Sequence, residues 1–327
     1  MKAILYNQFG PANEVLELQD VEITQPGPGE VLVRLHRSGV NPSDTKKRAG
    51  AAPTLLDNGY VIPNSDGAGV IEAVGEGVDA ARVGERVWVF NGQFGRRFGT
   101  SAEYITLDAK QAVFLPDNTS FDIGACTGIP IMTAHRCVTT DGPVEGKLVL
   151  VTGGAGRVGH YAIQWAKRFG ATVIATASSD RSRQACLEAG ADLVVGHPSP
   201  ESNAEIMAFT EGKKIQHVVE GDFGVNVGPL LDILATSAVI ATYSSMTVAE
   251  PALPFRRMMF MDLTIRLVIV YAMPWSAKAL AIQDITEAFK DNGLIHRIAG
   301  TYPLAESAAA HQAIETGNQY GCVLLEC

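Results

Sequence analysis

The stretch Lys147-Leu148-Val149-Leu150-Val151-Thr152-Gly153-Gly154-Ala155-Gly156-Arg157-Val158-Gly159 opens as an apolar run and closes as a glycine turn. So short an apolar run, ended by glycine, reads as a buried strand. Val158, Ala162, Trp165, Ala166 and Phe169 then recur at helical spacing until Gly170 stops the helix. Gly154, Gly156 and Gly159 fit G-x-G-x-x-G, a pattern that carries little weight alone and gains it from lying between a strand and a helix. Glycines there let the backbone turn tightly against a pyrophosphate, whose charge meets N–H groups at the helix N-terminus. Gly156 is read as the glycine whose missing β-carbon makes room for that pyrophosphate, in a backbone geometry that other residues resist.

Downstream, the texture stays strand and helix in alternation. A strand over 172–176 leads to a helix over about 181–189 ended by Gly190, and strands follow over 193–195, 217–220 and 238–243. Repeated β-α-β units imply a parallel sheet with helices on both faces. The end of the second strand decides the nucleotide. An acidic residue there accepts from a ribose 2′-OH, whereas a 2′-phosphate needs hydroxyl and cationic donors. Ala177-Ser178-Ser179-Asp180-Arg181-Ser182-Arg183 offers Ser178, Arg181 and Arg183 for a 2′-phosphate and favours NADPH; Asp180 argues the other way, but lies beyond the strand end and reads as the N-cap of the next helix.

Upstream, the first 120 residues alternate short β-branched runs with turn signals, as in the run before Gly75-Glu76-Gly77 and the run before Asn91-Gly92. This reads as a mostly β domain. The last 35 residues, with Pro303, a helix over about 305–316, Gly317 and a closing strand over 322–326, read as a return to it. The 327 residues suit two domains, and a net charge of −9 argues against a nucleic-acid surface. The apolar run at the N-terminus is too short for a signal peptide, and the greasy 267–277 segment is interrupted by Pro274, so a cytoplasmic protein without membrane contact is expected. The five cysteines form no CxxC pair and none precedes position 126; the seven histidines form no close pair. Neither a disulfide framework nor a cysteine-bound zinc is expected.

With the turn in place, other segments fall into a recognisable order: Gly39-Val40-Asn41-Pro42-Ser43-Asp44, then Ser65-Asp66-Gly67-Ala68-Gly69-Val70-Ile71-Glu72-Ala73-Val74-Gly75, Ala102-Glu103-Tyr104, Gly128-Ile129-Pro130 and Thr133-Ala134. Over nearly its whole length the sequence resembles the zeta-crystallin-like quinone oxidoreductases of the medium-chain dehydrogenase/reductase superfamily. The resemblance implies an α/β chain with a GroES-like β domain built from both termini (1–122 and 293–327), a Rossmann doubly wound domain (123–292) and a substrate cleft between them. It also implies a zinc-free site, since zinc-dependent relatives carry Cys where this chain has Asn41 and His-Glu where it has Ser65-Asp66.

Carried over by position, Gly154, Ala155, Gly156, Arg157, Val158 and Gly159 are expected at the pyrophosphate, Ser178 and Arg181 at the 2′-phosphate and His197 beside the adenosine. Tyr243, Ser244 and Ser245 are expected near the nicotinamide ribose, Ile269, Val270 and Tyr271 at the carboxamide, and Thr127, Ile129 and Pro130 under the ring. Asn41 is expected to orient the cofactor or the acceptor. Asp44 is a candidate for a proton path, with a structural turn acceptor as the competing reading. Tyr60 and Phe94 are candidates for the substrate mouth. The Arg96-Arg97 pair reads as a solvated face, or as an attractor for an anionic or bulky acceptor.

This chain departs from the family at Lys46, where a Tyr is frequent, at Arg157, which replaces a Gly, and at Gly321-Cys322, which replaces a frequent Gly-Lys. The function implied is NADPH-dependent, metal-free hydride transfer to a quinone or related electron-poor conjugated carbonyl. The alternatives are reduction of an enone, enal or enoyl-thioester double bond, and a non-catalytic NADPH-binding protein. The greasy 263–273 segment, preceded by Met258, Met259, Phe260 and Met261, reads as a homodimer edge or as a buried central strand.

Overall fold

A computed structural model describes residues 1–317 and 319–327. They form two units, Met1–Ile129 with Ile282–Cys327, and Pro130–Ala281. The expected boundaries lay at 122 and 292. The helix after Ser120 packs instead on the first unit's sheet, where a β-carbon on Gly124 would lie 2.8 Å from Ala68 Cβ, and the Ile129 N–H bonds to Asp66 in the same unit.

In the first unit β1 (Lys2–Leu5) and β2 (Glu17–Asp20) pair antiparallel around α1 (Ala12–Val15). The long β3 (Glu30–Val40) leads through Asn41 into α2 (Pro42–Lys46), and is followed by β4 (Asp66–Val74), β5 (Arg86–Val89), β6 (Tyr104–Asp108), β7 (Ala112–Phe114) and α3 (Phe121–Gly124). Alternate residues of these strands, Val31, Val33, Leu35, Ile71, Val87, Val89, Ile105 and Leu107, converge in one core. The period-2 pattern of the sequence is the cause, and each such side chain contributes ~1.5–3 kcal/mol by leaving water.

The second unit starts with α4 (Met132–Thr139) and continues with β8 (Leu148–Val151), α5 (Arg157–Arg168), β9 (Thr172–Thr176), α6 (Asp180–Glu188), β10 (Leu193–Val195), α7 (Pro200–Phe209), β11 (Ile215–Glu220), α8 (Phe223–Leu230), β12 (Leu234–Thr242), α9 (Phe255–Phe260) and β13 (Thr264–Leu267). Its six strands are all parallel, in the order β10-β9-β8-β11-β12-β13. Strands covered on both faces need continuous apolar runs; β8, β9 and β11 are buried almost throughout, with Leu150, Ile174, Val218 and Ile240 in one core. The strand order reverses at β8, so the ends of β8 and β11 flank the crevice where doubly wound sheets bind ligands.

The chain returns to the first unit within α10 (Trp275–Lys290) and closes with β14 (Ile298–Pro303), α11 (Ser307–Glu315) and β15 (Cys322–Glu326), completing the order β14-β15-β3-β4-β5-β7, with β6 also on β3. No helix among the described residues is long and apolar enough to cross a membrane. Three expectations need correction. The N-cap before α6 is Ser179, which accepts from Ser182 N–H, and Asp180 is the first helical residue. The apolar segment near 264 is an edge strand bonded only to β12, with Leu267 77% exposed, and not a central one. Arg97 is not a solvated charge: it donates to Tyr60 O at 3.0 Å and lies over the Phe98 ring.

Candidate active site

The glycine turn is built by three different constraints. Gly153 is left-handed (φ 61°) and its N–H donates to Thr176 Oγ1 at 2.9 Å. A β-carbon on Gly154 would lie 2.9 Å from Ala175, Cys186 and Ile163, so that position must be bare for α5 to pack on the sheet; one on Gly159 would lie 2.4 Å from Gly153 O. Gly156 corrects the expectation made for it. Its backbone is extended (φ −69°, ψ 163°), and it caps α5 with no side-chain cap. The special geometry belongs to Gly153. The first-turn N–H groups of a helix have no intrahelical acceptor, so this end suits a pyrophosphate.

Ser178 and Arg181 are exposed at the end of β9, and His197 is exposed just after β10, the strand paired with β9. Ala177 N–H donates to Val195 O at 2.9 Å, so Ser178 and His197 follow neighbouring strand ends. Arg183 is committed elsewhere, donating to Val194 O at 2.8 Å. Where β12 ends, Tyr243, Ser244, Ser245 and Ile269 line a cavity of about 310 Å³. Ser245 Oγ accepts from Gly224 N–H at 2.9 Å and so holds the first turn of α8. Val270 is buried, Ile269 is half exposed, and Tyr271 O accepts from Lys278 at 3.0 Å. Thr127 is fully buried with its hydroxyl donating to Ile123 O at 2.9 Å, which leaves it a framework role.

Sequence reading passed over Glu220, a fully buried acid at the end of β11. Its Oε1 accepts from Asn226 at 2.9 Å, and burial pushes its carboxyl up against the opposing hydrogen bonds from Asn226, Asp222 and Thr152. The signal was an acid closing the run Val218-Val219, where a doubly covered strand has no room for an unpaired charge.

In the first unit a second cluster forms around Asn41. Asp44 Oδ2 accepts from Asn41 N–H at 2.9 Å, which closes the first turn of α2. Asn41 Nδ2 donates to Asp66 Oδ2 at 2.9 Å, and the same oxygen accepts from Ile129 N–H at 2.8 Å. Asp66 Oδ1 has no partner among the described residues and lies where a β-carbon on Gly128 would come within 2.1 Å. Burial pushes the Asp66 carboxyl up to about 8, with the nearby Asp44 adding to the rise. Burial raises Asp44 as well, opposed chiefly by Lys47, whose ammonium lies 3.3 Å away. Lys47 also donates to Ser65 Oγ at 3.2 Å. An amide, a hydroxyl, two carboxyls and an ammonium occupy this ground, and among the described residues no three His, Cys, Asp or Glu converge as a metal would require. This set does not fit a zinc. Tyr60 stacks on Phe98 with ring centroids 5.4 Å apart, and Phe94 is 53% exposed in the following loop.

Residues 27–117 match the family model for the alcohol dehydrogenase GroES-like domain, and residues 158–287 that for zinc-binding dehydrogenases. A quinone oxidoreductase from Pongo abelii is 32% identical over 97% of this chain and 95% of its own length. The chain belongs to the zeta-crystallin-like quinone oxidoreductases of the medium-chain dehydrogenase/reductase superfamily. A 2-haloacrylate reductase from a Burkholderia species is 28% identical over 99% of this chain and 98% of its own. A mycobacterial protein solved in complex with NADPH superimposes with a TM-score of 0.87 at 28% identity, each chain being covered in full. Members of this family are oxidoreductases, and this chain is one.

Proposed function

We propose that this NADPH-dependent oxidoreductase reduces quinones and related electron-poor conjugated carbonyl compounds, and does so without a metal. The reading is carried by an uncapped α5 N-terminus behind Gly153 and Gly154 in one unit and, in the other, a donor set around Asn41 that does not suit zinc. When bound, NADPH supplies a hydride. The chain's part is to seat the pyrophosphate on α5, to take the 2′-phosphate with Ser178 and Arg181 beside His197, and to hold the nicotinamide end with Tyr243, Ser244, Ser245 and the 269–271 backbone. Gly154, Ala155, Arg157, Val158 and Gly159 shape the cradle, while Ile129 and Pro130 give the ring its apolar contact.

Asn41, locked by Asp66 and Asp44, is the orienting polar group. Asp44 is engaged by Asn41, Lys47 and Ser65, which supports its role as a positioning group over a proton path. With no Lewis acid to polarise a carbonyl, an acceptor must already be electron-poor. Conjugate reduction of a double bond is the second reading, supported by the haloacrylate reductase among the relatives. We extend the reading to a cytoplasmic homodimer. Five free cysteines suit a reducing compartment, and the exposed β13 edge suits a partner.

An NADPH-oxidation screen against quinones, enones and enoyl thioesters tests the reading. Quinones are expected to give the highest kcat/KM, and NADPH to bind at least about tenfold tighter than NADH, roughly 1.4 kcal/mol. Preference for NADH would make Asp180 the ribose ligand, and turnover confined to enoyl thioesters would replace the quinone assignment.

A further inference from the structure

Within the second unit, the turn after β11 is tied to the strand ends on either side of it. Gly221 N–H donates to Thr152 Oγ1 at 2.9 Å, and a β-carbon on Gly221 would lie 2.8 Å from the Tyr243 hydroxyl. Thr152 leads into the glycine turn, and Tyr243 lines the cavity of about 310 Å³ where β12 ends. Gly221 thus joins the cavity to the pyrophosphate cradle, all inside one unit.

Residues 243–254 form neither helix nor strand, and the start of α8 holds the first part of them. Phe223 N–H donates to Ser244 O at 3.0 Å and Gly224 N–H to Ser245 Oγ at 2.9 Å, so the loop takes two of the N–H groups that a first helical turn leaves unpaired. Gly224 must be bare for this, since a β-carbon there would lie 2.3 Å from Val248 O. Asp222 adds a clasp. Its Oδ1 accepts from Thr247 N–H at 3.2 Å and its Oδ2 accepts from the Thr247 hydroxyl. Behind it the buried Glu220 carboxyl accepts from Asp222 N–H and, at 2.9 Å, from Asn226 Nδ2. An irregular loop loses conformational freedom when a ligand orders it, and a loop already fixed avoids that loss.

We propose that Asp222 is a positioning residue: braced by Glu220, it clasps Thr247 and preorganises the 243–248 loop for the nicotinamide half of NADPH, setting affinity for that half through the loop. This role rests on the reading that 243–245 meet the nicotinamide end. It is tested by calorimetric titration of NADPH, and of adenosine 2′,5′-bisphosphate, which carries neither the nicotinamide nor its ribose, into the wild type, D222A, T247V and the double variant. Amide exchange across 243–248 is followed with each ligand.

D222A is expected to weaken NADPH about three- to tenfold, the range of a net hydrogen bond. T247V keeps the N–H arm and is expected to weaken it about two- to threefold, and the double variant no more than D222A. Affinity for the bisphosphate is expected to stay unchanged throughout, which a general loosening of the fold would not allow. In the wild type NADPH is expected to slow exchange at 243–248 and the bisphosphate to leave it as it was. Thr247 is exposed, so T247V carries the same measurements should D222A fail to fold. Unchanged NADPH affinity in the variants, equal losses for both ligands, or additive losses in the double variant overturn the proposal, and protection of 243–248 by NADPH in the wild type then leaves the parent reading intact. NADPH that protects 243–248 no better than the bisphosphate removes both.

Discussion

Asp66 carries two N–H donors on one oxygen and none on the other, and the single nearby ammonium is paired with Asp44. A carboxyl so placed keeps its proton. Its ordinary value of 3.8 is pushed up to about 8 by burial. Across that window the folded chain binds a proton that the unfolded chain has released, so stability falls as pH rises from about 4 to about 8. Asp66→Asn keeps an acceptor for Asn41 and Ile129 and removes the titration. The wild-type melting temperature is expected to fall between pH 5 and pH 8 by about 2 °C or more beyond any fall in D66N. Comparing the two chains cancels the opposite trend from His311, which burial holds down at about 3. Parallel melting curves would show Asp66 to be ionised. At this scale the sequence displayed Asn41 and Asp44 through one short motif. It hid Lys47, because positions 44, 47, 65 and 93 meet only once the turns have closed, and no periodicity records such a meeting.

The doubly wound order of β8 to β13 was legible because parallel strands must be apolar on both faces and glycines end their helices. The strand bounds 172–176 could be read to the residue for the same reason, and 322–326, in the first unit's mixed sheet, from its own apolar run after Gly321. Less legible was which glycine of the turn bears the strain, since Gly153 and Gly156 look alike until backbone angles separate them. The place of the 264–267 strand was also ambiguous: apolar content marks a central strand and a buried interface equally. In the folded chain β13 is an edge, and Leu267 on it is joined by Phe255 and Phe260 of α9, exposed by 74% and 71%. Edges this greasy are normally covered. Sedimentation at micromolar concentration is expected to give a dimer for the wild type and a monomer for L267E, with the far-UV spectrum unchanged. A wild type that sediments only as a monomer would remove the dimer from the account.

At the scale of the molecule, two units supply two kinds of chemistry. The parallel sheet offers a helix N-terminus and hydroxyls suited to a phosphorylated dinucleotide, and the β unit offers a hydrogen-bonded cluster of Asn41, Asp44, Lys47, Ser65 and Asp66. Composition foresaw little of this beyond size and acidity, whereas the order of short motifs along the chain foresaw both units. The proposed reaction is hydride transfer from NADPH to an electron-poor acceptor by a chain that needs no metal. Its most direct test is a single-turnover experiment on chelator-stripped protein, with NADPH carrying hydrogen or deuterium at both C4 positions and a quinone in excess. Full turnover after stripping, elemental analysis below stoichiometric zinc and a primary isotope effect on the rate of NADPH loss are expected. Turnover that vanishes on stripping and returns with added zinc, or NADPH that binds and is never oxidised, would contradict it.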